Sequence, residues 1–415
     1  MYLPNTRLFI FTFLLFFAAQ KLGAQSFSSE KIKKHIAFLA SDKLHGRGSG
    51  TEDERKAANY IIEQFKQIGL TPQGDDKTWL NHFTFKQSNN PHEISEPNAP
   101  TLNCANVVGF LDNGAEYTIA IGAHYDHLGM VDGEGSSLEA NPEHKIHNGA
   151  DDNASGVAGV IELARYFKNN GKTEPFNFLF LCFSGEELGL IGSKRFCENP
   201  TYPMAKLNYY LNMDMIGRYR EEKGLVIQGV GTSDLFPQII QYSPTKIKIT
   251  FDSSGTGPSD YTSFYLKQVP VLGFFSGAHS DYHKATDDVE KINFIGEVKI
   301  LDYIADIIEG TCTFDKQNFK ETQSPQTQSR SFKVTLGVIP DYAFDKKGLR
   351  LDGVSASRPA ANAGLKAGDI IIKMGEYNIE NIYSYMDVLE KFNKNEKTTL
   401  VFVRDGKELR TEVEF

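Results

Sequence analysis

The sequence predicts an α/β protein, with a mainly parallel central sheet covered by helices on both faces and a small β-rich domain after it. Three observations carry this reading. Residues 118–123, 176–183, 209–213 and 270–275 are continuous apolar runs, the pattern of strands buried on both faces. Helical stretches separate them, such as 156–169, where Val157, Val160, Ile161, Ala164 and Phe167 recur at helical spacing. Further on, Glu321-Thr-Gln-Ser-Pro-Gln-Thr-Gln-Ser329 is polar and free of large apolar groups, which marks a linker.

In chain order, Arg7 precedes an apolar run over residues 8–19, and small residues follow at Gly23 and Ala24. This is the pattern of a secretory signal cleaved after Ala24, with export to the periplasm or the outside; an uncleaved N-terminal anchor is the alternative. The run is too short to span a bilayer comfortably, no later stretch approaches that length, and no Cys follows to carry a lipid. Helices are expected over 29–39 and 51–68, the second stopped by Gly69. Between them, Gly46-Arg-Gly-Ser-Gly50 reads as a turn. It is no phosphate cradle, since no lysine follows it and no strand precedes it. Residues 79–86 form a strand and 88–100 a loop, and 106–111 and 117–123 read as two strands across an Asp-Asn-Gly turn. A helix over 297–310 closes the domain. The expected organisation is a signal at 1–24, a large domain at 25–313, a linker at 314–330 and a small domain at 331–415.

The formal charge of −9 becomes −11 once residues 1–24, with Arg7 and Lys21, are removed. The last domain balances 13 Lys and Arg against 13 Asp and Glu, so the excess acid lies in the first. A negative chain without a basic run excludes nucleic acid as a partner. Cys104, Cys182, Cys197 and Cys312 are far apart with no Cys-x-x-Cys, which excludes a disulfide framework and a thiolate zinc site.

The acids and histidines are not scattered. His124 and Asp126 follow the first apolar run, in His-Tyr-Asp-His. Asp151 and Asp152 open the next helix, in Gly149-Ala-Asp-Asp-Asn-Ala-Ser-Gly156, where Asn153 or Ser155 is the candidate cap. Glu186 and Glu187 follow the second run, Asp214 ends the third, and His283 follows the fourth. Sites in open parallel sheets form outside the carboxyl ends of the strands, so four strands deliver ligand-type groups to one edge. Zinc takes imidazole nitrogen and carboxylate oxygen, and a zinc pair needs a carboxylate that can bridge. Two adjacent glutamates allow one to bind metal while the other moves protons.

These motifs, with the lead-in Phe38-Leu-Ala-Ser-Asp-Lys-Leu-His-Gly-Arg-Gly-Ser-Gly-Thr51, resemble the co-catalytic di-zinc exopeptidases of metallopeptidase family twenty-eight, over roughly residues 30–312. The resemblance implies two Zn2+ per chain bridged by Asp152, one completed by His124 and Asp214, the other by Glu187 and His283. It implies Glu186 as general base and Tyr282 as a stabiliser of the oxyanion. Asp126 is then expected to hydrogen-bond the far nitrogen of His124, and Asp260 to brace the site from behind. His127 and Asp151 are left as loop or capping residues, His144 and His147 as solvated or substrate-side, and His279 as a loop residue. Asp287 and Asp288 are expected to start the following helix. The implied activity is a zinc-dependent aminopeptidase acting on peptides. The alternatives are a carboxypeptidase or dipeptidase on the same scaffold, or a glutaminyl cyclase, a transferase whose pocket favours tryptophan where this chain has only Trp79.

Residues 331–415 resemble a PDZ domain. Thr335-Leu-Gly-Val338 stands where a carboxylate-binding loop belongs, and Ala360-Ala-Asn-Ala-Gly-Leu-Lys-Ala-Gly-Asp-Ile-Ile371 resembles a segment of bacterial protease PDZ modules. A helix is expected at 383–392 and a strand pair at 398–403 and 408–413. The resemblance implies a C-terminal peptide as ligand. It also leaves open a binding protein in which this module is the active part.

Overall fold

The computed structural model describes residues 27–86, 99–131, 137–139, 141–322, 333–340, 346–354, 358–380 and 382–415. The expected signal at 1–24 lies outside them. No helix among the described residues is long and apolar enough to cross a membrane.

The first domain contributes strands β1 (Thr71–Pro72), β2 (Leu80–Lys86), β3 (Thr101–Leu111), β4 (Thr118–His124), β5 (Gly129–Val131), β6 (Lys145–His147), β7 (Asn177–Phe183), β8 (Leu207–Met213), β9 (Leu225–Gln228), β10 (Ile249–Phe251) and β11 (Val271–Phe275). Its helices are α1 (Ser29–Leu39), α2 (Glu52–Ile68), α3 (Gly156–Asn169), α4 (Ile191–Glu198), α5 (Phe236–Tyr242), α6 (Tyr261–Tyr265) and α7 (Phe294–Thr311). The large sheet runs β1-β3-β7-β4-β8-β11-β9-β10, with β2 on β3. Its centre, β7-β4-β8-β11, is parallel. The expected hairpin of 106–111 with 117–123 does not form, because β7 lies between β3 and β4 and pairs with both. Every residue of β4 is buried, and parallel partners on both sides satisfy its backbone in a way a surface hairpin could not.

The continuous apolar runs split by parity. Ile119, Ile121, Phe178, Phe180, Tyr209 and Leu211 pack into the core with α1, α2, α3 and α7. Ala120, Leu179, Leu181, Phe183, Tyr210 and Val271 face the other way, toward Phe196 and Phe264 of α4 and α6. Each strand thus buries both of its faces, the condition that its unbroken apolar sequence anticipates.

α2 starts at Thr51, whose hydroxyl accepts from the Glu54 N–H at 3.1 Å, and ends at Gly69 in the left-handed region. At the start of α3, Asn153 is the capping side chain, its Oδ1 3.0 Å from the Gly156 N–H. Ser155 bonds backward to the Asp151 carbonyl instead. A Cβ on Gly156 would stand 2.5 Å from the Met213 carbonyl, so only glycine lets α3 abut the end of β8.

All four cysteines are free, and Cys182 is buried in β7. The first part of the expected linker is packed onto the large domain: the Gln317 N–H donates to Asn208 Oδ1 at 2.6 Å, and the Phe319 ring lies 5.3 Å from Tyr265. The second domain holds β12 (Val338–Pro340), β13 (Leu349–Val354), β14 (Ile370–Met374), β15 (Tyr377–Asn378), β16 (Lys397–Arg404) and β17 (Lys407–Glu414), with α8 (Pro359–Asn362) and α9 (Ile382–Leu389). Its strands pair antiparallel in the order β12-β13-β14-β16-β17, with β15 on β14, around a core of its own that includes Leu336, Leu351, Ile371, Leu400 and Phe402.

Candidate metal centre

The parallel strands end level: His124 pairs across from Phe183, and Met213 from Phe274. The groups that follow them therefore reach the same edge. His124, Asp152, Glu186, Glu187, Asp214, Tyr282 and His283 line one cleft, beside Met215, Pro258, Phe275 and Ala278.

Asp152 lies between the two histidines, its Oδ1 3.3 Å from His124 Nε2 and its Oδ2 3.3 Å from His283 Nε2. His124 Nε2 is also 3.5 Å from Asp214 Oδ1, and His283 Nε2 is 3.2 Å from Glu187 Oε2. Glu186 stands 3.9 Å from His124 Nε2, and the Tyr282 ring stacks on His283 at 3.9 Å. His124, Asp152 and Glu187 converge closely enough to hold one ion, as do His124, Glu186 and Asp214. Four carboxylates against two imidazoles leave surplus negative charge in a largely buried place. That donor set fits divalent cations of the zinc type.

Adjacent glutamates differ electrostatically. Burial pushes the Glu186 carboxyl well above its usual range, with Glu187 and Asp214 adding to the push against the pull of His124. Burial and Asp152 also push Glu187 upward, yet His283 and His127 bring it down to about 2. Both cleft histidines are held well above the ordinary imidazole value: the surrounding carboxylates outweigh the burial that works the other way.

Several expectations change here. Asp126 does meet the far nitrogen of His124, but chiefly through its backbone: Nδ1 is 3.2 Å from the Asp126 carbonyl and 3.7 Å from its carboxylate. That carboxylate also accepts from the Ser49 hydroxyl at 2.7 Å and the Glu186 N–H at 3.1 Å. The residue bracing Asp214 is Ser259, at 2.7 Å, itself held by Asn212. Neighbouring Asp260 is buried, its carboxylate oxygens meet no hydrogen-bond donor among the described residues, and burial pushes it up to about 7 against the pull of His124.

Asp288 stands at the N-cap of the short helical turn Val289–Lys291, as expected, whereas Asp287 caps the acidic turn by accepting from the N–H groups of Asp151 and Asp152, each at 3.0 Å. Asp151 points away from the cleft and accepts from the Gly217 N–H at 2.7 Å and His279 Nε2 at 3.1 Å. His147 is buried against Ser137 at 2.7 Å, while His144 is exposed.

The sequence reading missed His127 and Arg47. His127 Nδ1 is 2.6 Å from Glu187 Oε1, so it fixes the oxygen that does not face His283. Arg47, fully buried, donates to the carbonyls of Leu39 and Asn148 at 2.6 Å, Tyr125 at 2.9 Å and Gly149 at 3.1 Å. It ties the His124 loop to the Asp152 loop. Burial draws its guanidinium down to about 10, opposed by Asp126, Asp152, Asp287 and Glu187. The signal available was its charge inside a glycine-rich turn, where a solvated arginine needs no such neighbours.

Residues 106–308 match the model for Peptidase family M28, and residues 328–415 match that for the PDZ domain. The chain is 36% identical over 149 residues to leupeptin-inactivating enzyme 1 of Streptomyces exfoliatus, covering 34% of this chain and 32% of that protein. It is 28% identical over 190 residues to leucine aminopeptidase 2 of Trichophyton equinum, covering 42% and 36%. The matches thus span about a third of these relatives' lengths. Among solved structures, the Legionella pneumophila LapA aminopeptidase superposes with a TM-score of 0.52 at 18% identity, covering 70% of this chain and 72% of that one. The Porphyromonas gingivalis glutaminyl cyclase superposes with a TM-score of 0.55 at 16% identity, covering 69% and 99%. At such identities the likeness is one of fold. The chain carries a domain of peptidase family M28 joined to a C-terminal PDZ domain.

Proposed function

We propose that this protein is an exported, zinc-dependent aminopeptidase that removes residues from the free amino end of peptides. The observation that carries the reading is the convergence of His124, Asp152, Glu186, Glu187, Asp214 and His283 on one cleft. His124 with Asp214 and Glu187 with His283 would hold two zinc ions, with Asp152 shared between them. Bound there, the ions polarise the scissile carbonyl and make water nucleophilic near neutral pH. Glu186 takes the proton from the attacking water and hands it to the leaving amine. Asp126, through the Glu186 N–H, fixes where that carboxylate stands. Tyr282, set by its stacking on His283, donates to the developing oxyanion. Met215, Pro258 and Phe275 offer an apolar wall to the first side chain.

A cyclase shares the fold, but Trp79 packs against the core and is not among the residues lining the cleft. The test uses zinc-loaded protein with leucine anilide and with a peptide that starts with Gln. Release of the anilide, lost on chelation and restored by added zinc at about two ions per chain, is expected. Ring closure of the Gln peptide without anilide release sinks the reading.

A further inference from the structure

Pro340 belongs to the PDZ domain's strand β12, and it also lines the cleft of the large domain. The two domains therefore share a wall, and its direction is informative. β12 leaves the loop Thr335-Leu-Gly-Val338 and ends at the cleft. It is the terminal strand of its sheet, paired with β13 alone among the described residues. The loop leaves one backbone donor without an acceptor among the described residues. Gly337 takes a φ of +69°, with its N–H folded back onto the Thr335 hydroxyl at 3.0 Å. The Leu336 carbonyl is occupied by the Ala360 N–H, while the Leu336 N–H donates to no described residue. The stem of Arg358 lies against Gly337, so closely that a Cβ there would stand 2.3 Å from it.

We propose that the PDZ domain holds the carboxyl end of the same peptide whose amino end is being trimmed. This rests on the aminopeptidase reading and deepens it: the substrates are short peptides with a free carboxylate, gripped at both ends. A peptide carboxylate on the Leu336–Val338 loop sits at the start of β12, so a peptide lying along that strand runs antiparallel to it. Its amino end then points past Pro340 into the cleft. Proline has no N–H, so the backbone ladder stops where the cleft begins. At about 3.3 Å per residue, the three residues of β12 match about three of the peptide, so about four residues is the shortest length that reaches both ends. Below that length the carboxylate grip is lost, and the domain sets a stopping length.

The experiment compares leucine-initiated peptides of two to eight residues, each as free acid and as carboxyl amide, on the zinc-loaded full chain. The charged hydrogen bonds predict a kcat/KM about tenfold or more higher for the acid from about four residues upward, and acid and amide alike at two. The gain should lie mainly in KM. Gly337→Ala and Arg358→Gln should each bring the acid-to-amide ratio toward one. In metal-free protein, a fluorescent amino-blocked hexapeptide acid should bind more tightly than its amide, a readout independent of turnover. Equal kcat/KM for acid and amide at every length, with leucine anilide still turned over, overturns the proposal and leaves the aminopeptidase standing. Failure to release leucine from any substrate overturns both.

Discussion

Asp151–Asp152 and Glu186–Glu187 are chemically alike in the sequence, each a pair of neighbouring carboxylates at a strand or helix end. The fold treats the two pairs differently. In the aspartate turn one acid faces the cleft and the other faces away: Asp152 sits between the two histidines while Asp151 holds the Gly217 N–H and His279. In the glutamate turn both acids reach the cleft and are separated by what faces them. Glu187 meets two imidazoles, and Glu186 meets one ring at 3.9 Å and carboxylates besides. A pair split by direction leaves one acid in the cleft and one in the framework behind it. A pair split by electrostatic company gives two neighbours with opposite affinity for a proton, the division that a ligand and a base would require under the proposed function.

The glutamate pair gives the larger expected effect. Glu186→Gln should lower kcat by about 10²- to 10⁴-fold, the usual worth of a positioned proton carrier, with zinc content unchanged by elemental analysis. Glu187→Gln should instead lose zinc, measurably by competition with a chromogenic chelator, and regain activity as zinc is raised. Two variants with the same phenotype would show that electrostatic company does not separate these neighbours.

The aspartate pair gives a smaller and different split. Asp152→Asn should retain less than the full zinc complement while unfolding near the wild-type temperature in metal-free form. Asp151→Asn should keep its zinc and lose about 1–3 kcal/mol of stability, the cost of disturbing a buried acceptor that serves several donors. Denaturant melts of the metal-free proteins read this directly. Zinc lost in Asp151→Asn at unchanged stability would break the comparison.

Strand by strand, the periodicity was readable because it follows from burial. A run such as Phe178–Phe183 is apolar at every position because both of its faces are covered, and that requirement leaves its mark residue by residue. The gathering of His124, Asp152, Glu186, Glu187, Asp214 and His283 at one cleft was readable for a similar reason, since each follows the end of a buried run or opens the helix after one. Pairing was not, because nothing local in 106–123 says that β7, more than fifty residues on, will come between two strands joined by a short turn. Nor was the role of the lead-in. Seen locally, residues 46–54 are a glycine-rich turn and the start of a helix. In the fold they brace both acidic turns: Arg47 holds the Asn148 and Gly149 carbonyls, and Glu54 accepts from the Ser184 hydroxyl ahead of Glu186. Long-range hydrogen bonds of this kind have no period to leave in a sequence.

The two braces differ in one testable respect, which yields the smallest effect. Arg47 stays charged, whereas Glu54 is buried and its carboxyl is raised to about 8, mainly by that burial, with Asp126 adding to it and Ser184 and Gly50 opposing. The unfolded chain releases this proton near the ordinary glutamate value of about 4.3, while the folded chain keeps it until about 8. Between those values the native state binds more protons than the unfolded one, so stability from this group is full below the window and falls as pH rises through it. Glu54→Gln keeps the shape and removes the titration. In calorimetry of the metal-free proteins, the variant's Tm should gain on wild type steadily from pH 5 to about pH 8 and stay level above it. Parallel Tm curves across that window would mean that Glu54 is already ionised in the folded state, and that the brace on the glutamate turn is as fully charged as the one on the aspartate turn.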